Sequence, residues 1–536
     1  MKNVLYFILL LLLFSACANK VTPTGGSKDI LPPALVNVFP ENNLINFNAS
    51  QIVFTFDEFV QLNDATNQIL ISPIPEKQPT IKAYKKTVTV TFESPLIQNT
   101  TYSINFGKSV ADVHEGNIND TIHYVFSTGD YIDSLSMNGK VQDASTLKSC
   151  AKYSVFLYSI VDRTNLDSLL KNKPSYCTRT NESGNFEFNN LRKGSYYLVA
   201  LDDKNNNNMV DAEELVGFVS GVIDLPVNRT FVVKVFKPIP TELRLLKSVV
   251  LDQTTALVNY NLPASINVKT INNKLNINQF EIIKNDNTDS VFIHLKDTSI
   301  EEAQLLFSDG QNINDTLSFS FGEKKKNDLN LEIKNIQHTS DTLMLLSNHP
   351  IKPFPIYTFI YRDTTMIDSL KLIPINSTHY YFDKYNFKQG ERYRLELPKG
   401  RIEDVYGNMN DSMVVNISLV DKEHSGNVAL HLDYSINENP YLIQLLNSDF
   451  ALVDQQRILK GQNIKEVHFD YLMPGKYYFR VVNDNDNDQK LSMGVINKKQ
   501  PESIWMTDLF SVRANWDLDI SLKLDKEYDR PLNEPN

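Results

Sequence analysis

Apolar and polar residues alternate along most of this chain in short stretches. QIVFTF from residue 51, KTVTVTF from residue 86 and TFVVKVF from residue 230 place hydrophobic side chains at alternate positions. This period-two pattern predicts β-strands with one face in a core. Clusters of Asn, Asp, Gly and Pro separate the stretches, and helix-period segments are few and short. We therefore predict an all-β protein built from tandem sandwiches.

Two kinds of internal repeat divide the chain. DVHEGNINDTIHYVF at 112–126 returns as DVYGNMNDSMVVNIS at 404–418 and, in reduced form, as DGQNINDTLSFSF at 309–321. A different stretch, FEFNNLRKGSYYLVALDD at 186–203, returns as FDYLMPGKYYFRVVND at 469–484. Because such repeats mark copies of one structural unit, we expect three units of the first type and two of the second. A chain of 536 residues also exceeds what one hydrophobic core can serve.

The first repeat resembles a known domain family. ILPPALVNVFPENN from residue 30, IVFTFDEFV, NTTYSINFG and the later Asp-Gly-Asn turn together resemble the bacterial Ig-like domain named after an S-layer protein. The resemblance is close over 30–130 and looser over 237–325 and 326–420. It implies a structural role, shaping the last hairpin, for the turn residues Asp112, Gly116 and Asn117 and for their counterparts Asp404, Gly407 and Asn408.

The second repeat is similar to prealbumin-like sandwiches of the Cna-B or carboxypeptidase-regulatory type. The residues that match their core pattern are Gly184, Phe186, Phe188, Leu191, Gly194, Tyr197 and Val199. The resemblance implies rigid spacer modules. The expected organisation is a signal peptide (1–16), a tether (17–29), an Ig-like sandwich (30–130), a prealbumin-like sandwich (131–236), a divergent Ig-like sandwich (237–325), another Ig-like sandwich (326–420), a second prealbumin-like sandwich (421–526) and a tail (527–536).

The N-terminal segment has the pattern of an export signal. An apolar run from Val4 to Phe14 follows Lys2 and precedes small residues and Cys17. The run is shorter than the roughly 20 residues that span a bilayer, so we expect its removal. FSAC resembles a lipobox, which implies that Cys17 becomes a lipidated N-terminus in the outer membrane; plain secretion is the alternative. Whether the protein faces the periplasm or the cell surface stays open.

The loop DDKNNNNMVDAEE at 202–214 spaces oxygen-bearing side chains like an EF-hand calcium loop. Asn208 occupies the position of the usual glycine and tolerates a left-handed backbone. The alternative is a turn in which the asparagines bond their own backbone. The candidate ligands of a structural calcium ion are Asp203, Asn205, Asn207, Met209 through its carbonyl, Asp211 and Glu214.

Charge and cysteine content limit the remaining functions. The net charge of −11 and the lack of a concentrated basic segment argue against nucleic acid as a partner. Cys150 and Cys177 lie within one expected domain, where an oxidising compartment would let them form a disulfide; two separate buried thiols are the alternative. Asp followed by Ser or Thr, as at Thr121 and Ser412, resembles the O-glycosylation acceptor of Bacteroidota envelope proteins.

No catalytic motif is visible, and the chain lacks HExxH, G-x-S-x-G and phosphate-binding loops. We expect no enzyme and no small-molecule substrate, but a membrane-anchored envelope lipoprotein that acts as a scaffold for an envelope protein partner. The alternative is an adhesin or glycan-binding protein, which needs exposed aromatic residues. Trp505, Phe510 and Trp516 are its candidates, although their strand spacing favours a place in a core.

Overall fold

A computed structural model describes residues 28–524 except 161–165, 212–213, 272–274, 285–288, 311–312, 322–327, 337–341, 354, 384, 389 and 435–438. The expected signal peptide, Cys17 and the tail lie outside the described residues. Forty strands appear in the described residues, beside two one-turn helices, α1 (Ala65–Gln68) and α2 (Leu166–Leu169), and two 3₁₀ turns, Ile277–Gln279 and Lys422–His424. The prediction of an all-β chain of sandwiches is confirmed.

The first sandwich pairs its strands in the orders β1-β2-β6-β5, β10-β7-β4 and β3-β8-β9. Alternate residues of β2, namely Ile52, Phe54 and Phe56, are buried, as period-two patterning requires. The rings of Tyr102 and Phe126 stack at 5.3 Å in the core. The strands are β1 (Leu35–Phe39), β2 (Gln51–Phe56), β3 (Val60–Leu62), β4 (Leu70–Ser72), β5 (Thr80–Tyr84), β6 (Thr87–Thr91), β7 (Thr101–Asn105), β8 (Val110–Asp112), β9 (Ile118–Asn119) and β10 (His123–Ser127).

The second and fifth sandwiches share one topology. In each, a three-stranded sheet (β14-β11-β18 or β36-β33-β40) faces a larger sheet (β13-β12-β15-β16 or β35-β34-β37-β38), whose third strand also pairs with β17 or β39. The first and last strands of each run parallel. The strands are β11 (Leu135–Asp143), β12 (Ser154–Ser159), β13 (Tyr176–Arg179), β14 (Asn185–Leu191), β15 (Ser195–Leu201), β16 (Val216–Phe218), β17 (Ile223–Asp224), β18 (Phe231–Val235), β33 (Gly426–Asp433), β34 (Tyr441–Asn447), β35 (Leu452–Ile458), β36 (Glu466–Leu472), β37 (Gly475–Asn483), β38 (Ile504–Met506), β39 (Phe510–Val512) and β40 (Asp517–Lys523).

The third and fourth sandwiches repeat the strand order of the first. The third pairs β19-β20-β23-β22 and β21-β24-β25. The fourth joins the same two groups into one sheet, β26-β27-β30-β29-β28-β31-β32, through the long strand β29. The strands are β19 (Leu245–Val250), β20 (Thr255–Tyr260), β21 (Asn267–Thr270), β22 (Phe280–Lys284), β23 (Ser290–Leu295), β24 (Glu302–Ser308), β25 (Asn314–Ser320), β26 (Leu331–Lys334), β27 (Met344–Ser347), β28 (Tyr357–Arg362), β29 (Thr365–Pro374), β30 (His379–Phe382), β31 (Arg392–Leu397) and β32 (Met413–Ser418).

The second and fifth sandwiches contact each other although the third and fourth lie between them in sequence. Leu147 packs against Leu442 and its buried neighbours in the fifth sandwich. The Arg480 guanidinium donates to the Ser145 carbonyl at 2.9 Å. The Lys148 ammonium lies 4.2 Å from the centre of the Phe450 ring. The chain therefore folds back on itself, and the two copies of one sandwich type meet.

Gly494 packs closely against the second sandwich in this contact. A Cβ there would lie 2.4 Å from the Lys499 carbonyl oxygen and 2.7 Å from the Phe236 ring. The Ile239 N–H donates to the Gly494 carbonyl at 2.9 Å, which ties the end of the second sandwich to this loop.

We expect Gly494→Ala to weaken the contact, because an added methyl group without space costs about 1–3 kcal/mol. Calorimetry of the full chain should show a lower unfolding temperature, and hydrogen exchange at the Ile239 amide should speed up. Gly194→Ala is the matched control, since its Cβ would lie 3.5 Å from the Tyr196 ring. Equal behaviour of the two variants would contradict the packing described.

Candidate functional site

The Asp112 carboxylate organises the turn that follows β8. Its two oxygens accept from the N–H groups of His114, Glu115, Gly116 and Asn117 at 2.6 to 3.1 Å. Burial opposes ionisation of this carboxyl, but the four donors outweigh burial and hold its pKa below the ordinary value. Gly116 has φ +78°, and no atom lies within 4 Å of the position of a Cβ, so backbone conformation is what favours glycine there.

The matching turn of the fourth sandwich does more than close a hairpin. The Asp404 Oδ1 atom accepts from the N–H groups of Tyr406 and Asn408 at 2.9 and 2.8 Å, and Gly407 has φ +92°. Its Oδ2 atom, however, lies 2.9 Å from Nδ1 of His349. The same type of turn therefore serves a second purpose in this copy.

His349 joins the third and fourth sandwiches. Its Nε2 atom lies 3.2 Å from Oδ2 of Asp252, which belongs to the third sandwich, and its ring is fully buried. Tyr406 packs edge-on against the His349 ring at 5.2 Å and donates to the Leu295 carbonyl at 2.6 Å. The sequence pattern singled out neither His349 nor Asp252, because a lone histidine carries no signal of its partners.

The two carboxylates decide the charge state of His349. Burial opposes protonation, but hydrogen bonds and charge attraction from Asp252 and Asp404 outweigh burial and raise its pKa above 6.5. His294 lies nearby, and burial together with the positive charge of His349 lowers its pKa to about 4. The interface thus places His349, whose charged form is favoured, between two carboxylates and near His294, whose neutral form is favoured.

The loop 202–214 brings together four of its predicted calcium ligands. Asn205 and Asn207 donate from their Nδ2 atoms to Oδ2 of Asp211 at 2.7 and 3.0 Å. Asp203 Oδ1 and Asn205 Oδ1 both accept from the Asn207 N–H. These bonds fix the amide orientations, because the oxygens of Asn205 and Asn207 accept backbone N–H groups while their Nδ2 atoms face Asp211.

The other two predicted ligands are placed differently. Glu214 is buried and braces the loop ends, accepting from the N–H groups of Lys204 and Asp211 at 3.1 and 3.2 Å. The Met209 N–H donates to Asn207 Oδ1 at 2.7 Å. Asn208 has φ +58°, which agrees with the left-handed position expected from the sequence.

The loop of the fifth sandwich, 484–502, is built in the same way, with an insertion. Asp484 accepts from the Asp488 N–H as Asp203 does from Asn207. Glu502 accepts from the N–H groups of Asn485 and Ser492 at 2.8 and 3.0 Å, which is the bonding pattern of Glu214. The loop therefore keeps an acid that EF-hand spacing misses, since twelve positions counted from Asp484 end on Val495.

A different signal could have found Glu502. The β-bridge between Val495 and Lys499 lengthens the loop, so a count from Asp484 ends on the wrong residue. Both acids stand two positions before the next strand, Glu214 before β16 at Val216 and Glu502 before β38 at Ile504. Counting back from the strand would have aligned them.

The two loops differ in the cations that pair with their acidic residues. Carboxylate oxygens of Asp484, Asp486 and Glu502 lie within 4.8 Å of one another, the one group of three or more potential metal ligands found among the described residues. Arg457 lies 3.2 Å from Asp484, and Lys499 lies 2.7 Å from Asp486, so two of these three acids each have a cation partner. No described cation forms an ion pair with Asp203, Asp211 or Glu214.

The disulfide between Cys150 and Cys177 is not formed, which corrects that expectation. Both are free, buried thiols. Cys150 packs in the core between the two sheets, whereas Cys177 packs on the outer face, where its Sγ contacts the Ile71 carbonyl at 3.6 Å. Because the thiols lie on opposite faces of a sheet, they cannot meet. Burial raises the pKa of Cys150 to about 11 and that of Cys177 to about 12.

The aromatic residues near the C-terminus divide between core and surface. Trp505 is buried and Phe510 packs against the core of the fifth sandwich. Trp516 is exposed, with the Arg513 guanidinium 4.7 Å from its ring centre. An exposed aromatic cluster of the kind a glycan platform needs is therefore not formed by these three residues. No helix among the described residues has the length and apolar character needed to cross a bilayer.

We expect His349→Gln to lower the free energy of unfolding by about 3–5 kcal/mol, because it leaves two buried carboxylates without their cation. The effect should depend on pH. The pKa of His349 is higher in the folded state, so its contribution is complete below 6.5 and is lost as pH rises through the raised value. Unfolding temperatures of wild type and variant should therefore differ more at about pH 6 than at about pH 9.

His424→Gln is the matched control, because His424 forms an exposed pair with Asp421. It should change the unfolding temperature little at either pH. A pH-independent difference between wild type and His349→Gln would contradict the charged interface.

Comparisons with known proteins agree with the sandwich architecture of the first domain. Residues 29–128 match the family described as bacterial Ig-like domain. No curated protein matches the chain. Among solved structures, the chain is similar to the Bacillus anthracis TIE protein (11% identity, 94% of this chain and 76% of that chain, TM-score 0.14). It is also similar to the S-layer protein rSbsC (13%, 88% and 68%, 0.15) and to BcpA, the major pilin subunit of Bacillus cereus (10%, 73% and 100%, 0.14).

Proposed function

We propose that the protein is a lipid-anchored, non-enzymatic scaffold of the outer membrane, which holds a binding surface for an envelope protein partner. The supporting observation is that contacts between sandwiches, rather than linkers alone, set their arrangement. His349 links the third to the fourth, and Leu147 lies between the second and the fifth. A scaffold requires such fixed spacing, because loosely tethered domains do not present one surface.

The most triad-like group of side chains also favours a structural role. Asp252, His349 and Asp404 have the composition of a catalytic relay, but both imidazole nitrogens are occupied by carboxylates and the ring is sealed from solvent. A general base must reach the proton that it removes. His349 therefore serves as a joint between domains.

The anchor can be tested together with the partner. In membranes from cells that produce the protein, the wild type should enter the detergent phase, and Cys17→Ser should not. Each buried methylene of an acyl chain on Cys17 contributes about 0.8 kcal/mol to the free energy of membrane binding. A pull-down from solubilised wild-type membranes should then yield a stable protein complex. Equal partition of both forms would refute the anchor.

The variant His349→Gln tests whether partner binding depends on the domain arrangement. If the complex depends on fixed domain spacing, His349→Gln should weaken it while leaving detergent partition unchanged. A preparation that yields no protein partner but binds on a glycan array would favour the adhesin alternative over the scaffold.

We also propose that the loop 202–214 binds a structural calcium ion. Asp203, Asn205, Asn207 and Asp211 converge, and no described cation is paired with the two aspartates. A hard divalent cation suits such oxygen donors. The loop 484–502 carries Arg457 and Lys499 in that role, so we expect no calcium there.

Isothermal calorimetry on the full chain should therefore detect one calcium site. Asp211→Asn should remove the heat, since the loop loses the charge on which both amides converge. Asp486→Asn, in the equivalent loop, should leave it unchanged. Absence of heat at millimolar calcium, or loss of heat only in Asp486→Asn, would overturn the assignment.

A further inference from the structure

A cavity of about 310 Å³ lies between the first and second sandwiches. The first sandwich contributes the isoleucine wall, Ile69, Ile71, Ile74 and Ile81, together with the polar residues Thr66 and Gln78. The polar end of the cavity comes from the second sandwich and includes Arg179 and Asn206. Arg179 and the isoleucines lie outside the repeats and loops used above to derive function, whereas Asn206 belongs to the loop 202–214, and residues of both sandwiches line the cavity.

Arg179, the last residue of β13, is half-buried at this end and makes little use of its donors. Its Nη2 atom donates to Oδ1 of Asn206 at 2.9 Å, and Asn206 in turn donates to Asn67 of the first sandwich at 2.8 Å. Among the described residues, no carboxylate forms an ion pair with Arg179. A guanidinium has five N–H donors and remains charged even when burial lowers its pKa, as burial does here.

The chain contains its own comparison for this arginine. Arg457 holds the equivalent place in the fifth sandwich, where it contacts Asn487, the counterpart of Asn206. It also pairs with the carboxylate of Asp484 at 3.2 Å. In the second sandwich, the counterpart carboxylate of Asp203 instead accepts from the N–H groups of Asn207 and Asn208. The fifth sandwich thus gives its arginine a direct carboxylate partner, whereas Asp203 and Asp64 act on Arg179 only as nearby negative charges that form no ion pair with it.

We propose that the cavity binds a small aliphatic carboxylate, whose head group pairs with Arg179 and whose hydrocarbon body lies against the isoleucine wall. The guanidinium fork matches a carboxylate with two parallel hydrogen bonds, which are stronger in a partly desolvated site. The isoleucine side chains exclude water from a short hydrocarbon body and offer it no hydrogen-bond partner. The ligand therefore needs one anionic end and an otherwise apolar surface.

Hexanoate is a suitable probe, and saturation-transfer NMR with calorimetry on the full chain can measure its binding. Binding is measured at saturating calcium and again with EDTA, because the loop 202–214 supplies Asn206 to the cavity and a carboxylate bound through calcium would require the ion. Hexanoate should bind saturably, and hexanamide, which has the same shape without the charge, should bind at least about tenfold more weakly, since a charge-assisted hydrogen bond contributes more than a neutral one.

Variants locate the site. Arg179→Gln should weaken hexanoate binding about tenfold or more, and Arg179→Lys should weaken it less because the charge remains without the fork. Arg457→Gln is the matched control and should leave binding within about twofold. Circular dichroism checks that each variant is folded, and Arg179→Lys keeps the test informative if Arg179→Gln is not. Saturable binding that both Arg179 variants leave unchanged, or no saturable binding by the wild type, would overturn the proposal.

Discussion

Carboxylates that accept backbone N–H groups at the ends of strands hold this protein together. A short sandwich leaves many N–H groups unpaired where its strands turn, and each buried one without an acceptor is destabilising. Asp112 gathers four of them in one turn. Glu214 and Glu502 each gather two across a loop. The abundance of Asp and Asn between strands thus has a structural purpose wherever these bonds form.

A turn carboxylate of the same kind also joins two domains. In the first sandwich, both oxygens of Asp112 serve its own turn, but in the fourth, one oxygen of Asp404 accepts from the Asn408 side chain and also contacts His349. Because His349 also bonds Asp252, a hairpin turn becomes part of an interface between sandwiches. The two carboxylates favour the charged form of His349, and a neutral replacement would leave buried carboxylates without that partner.

The second and fifth sandwiches have the same fold but different polar partners around equivalent residues. The second and fifth sandwiches share every strand pairing, yet their equivalent arginines differ, since Arg457 has a carboxylate partner and Arg179 borders a cavity. The two loops differ in the same sense, because Lys499 supplies a charge that the second sandwich lacks. A fixed fold with changed polar partners is how one module can serve both as a spacer and as a binding site.

The sequence by itself determined the all-β class, the two kinds of repeat and the left-handed place of Asn208, because strand alternation and turn chemistry are local properties. It did not determine which residues meet across long separations. The bond from His349 to Asp252, the separation of Cys150 from Cys177 and the return of the fifth sandwich to the second were decided by tertiary packing alone. Glu502 is an intermediate case. The sequence shows an acid at this position, but the bridge between Val495 and Lys499 lengthens the loop, so its match to Glu214 is evident only once the strands are placed.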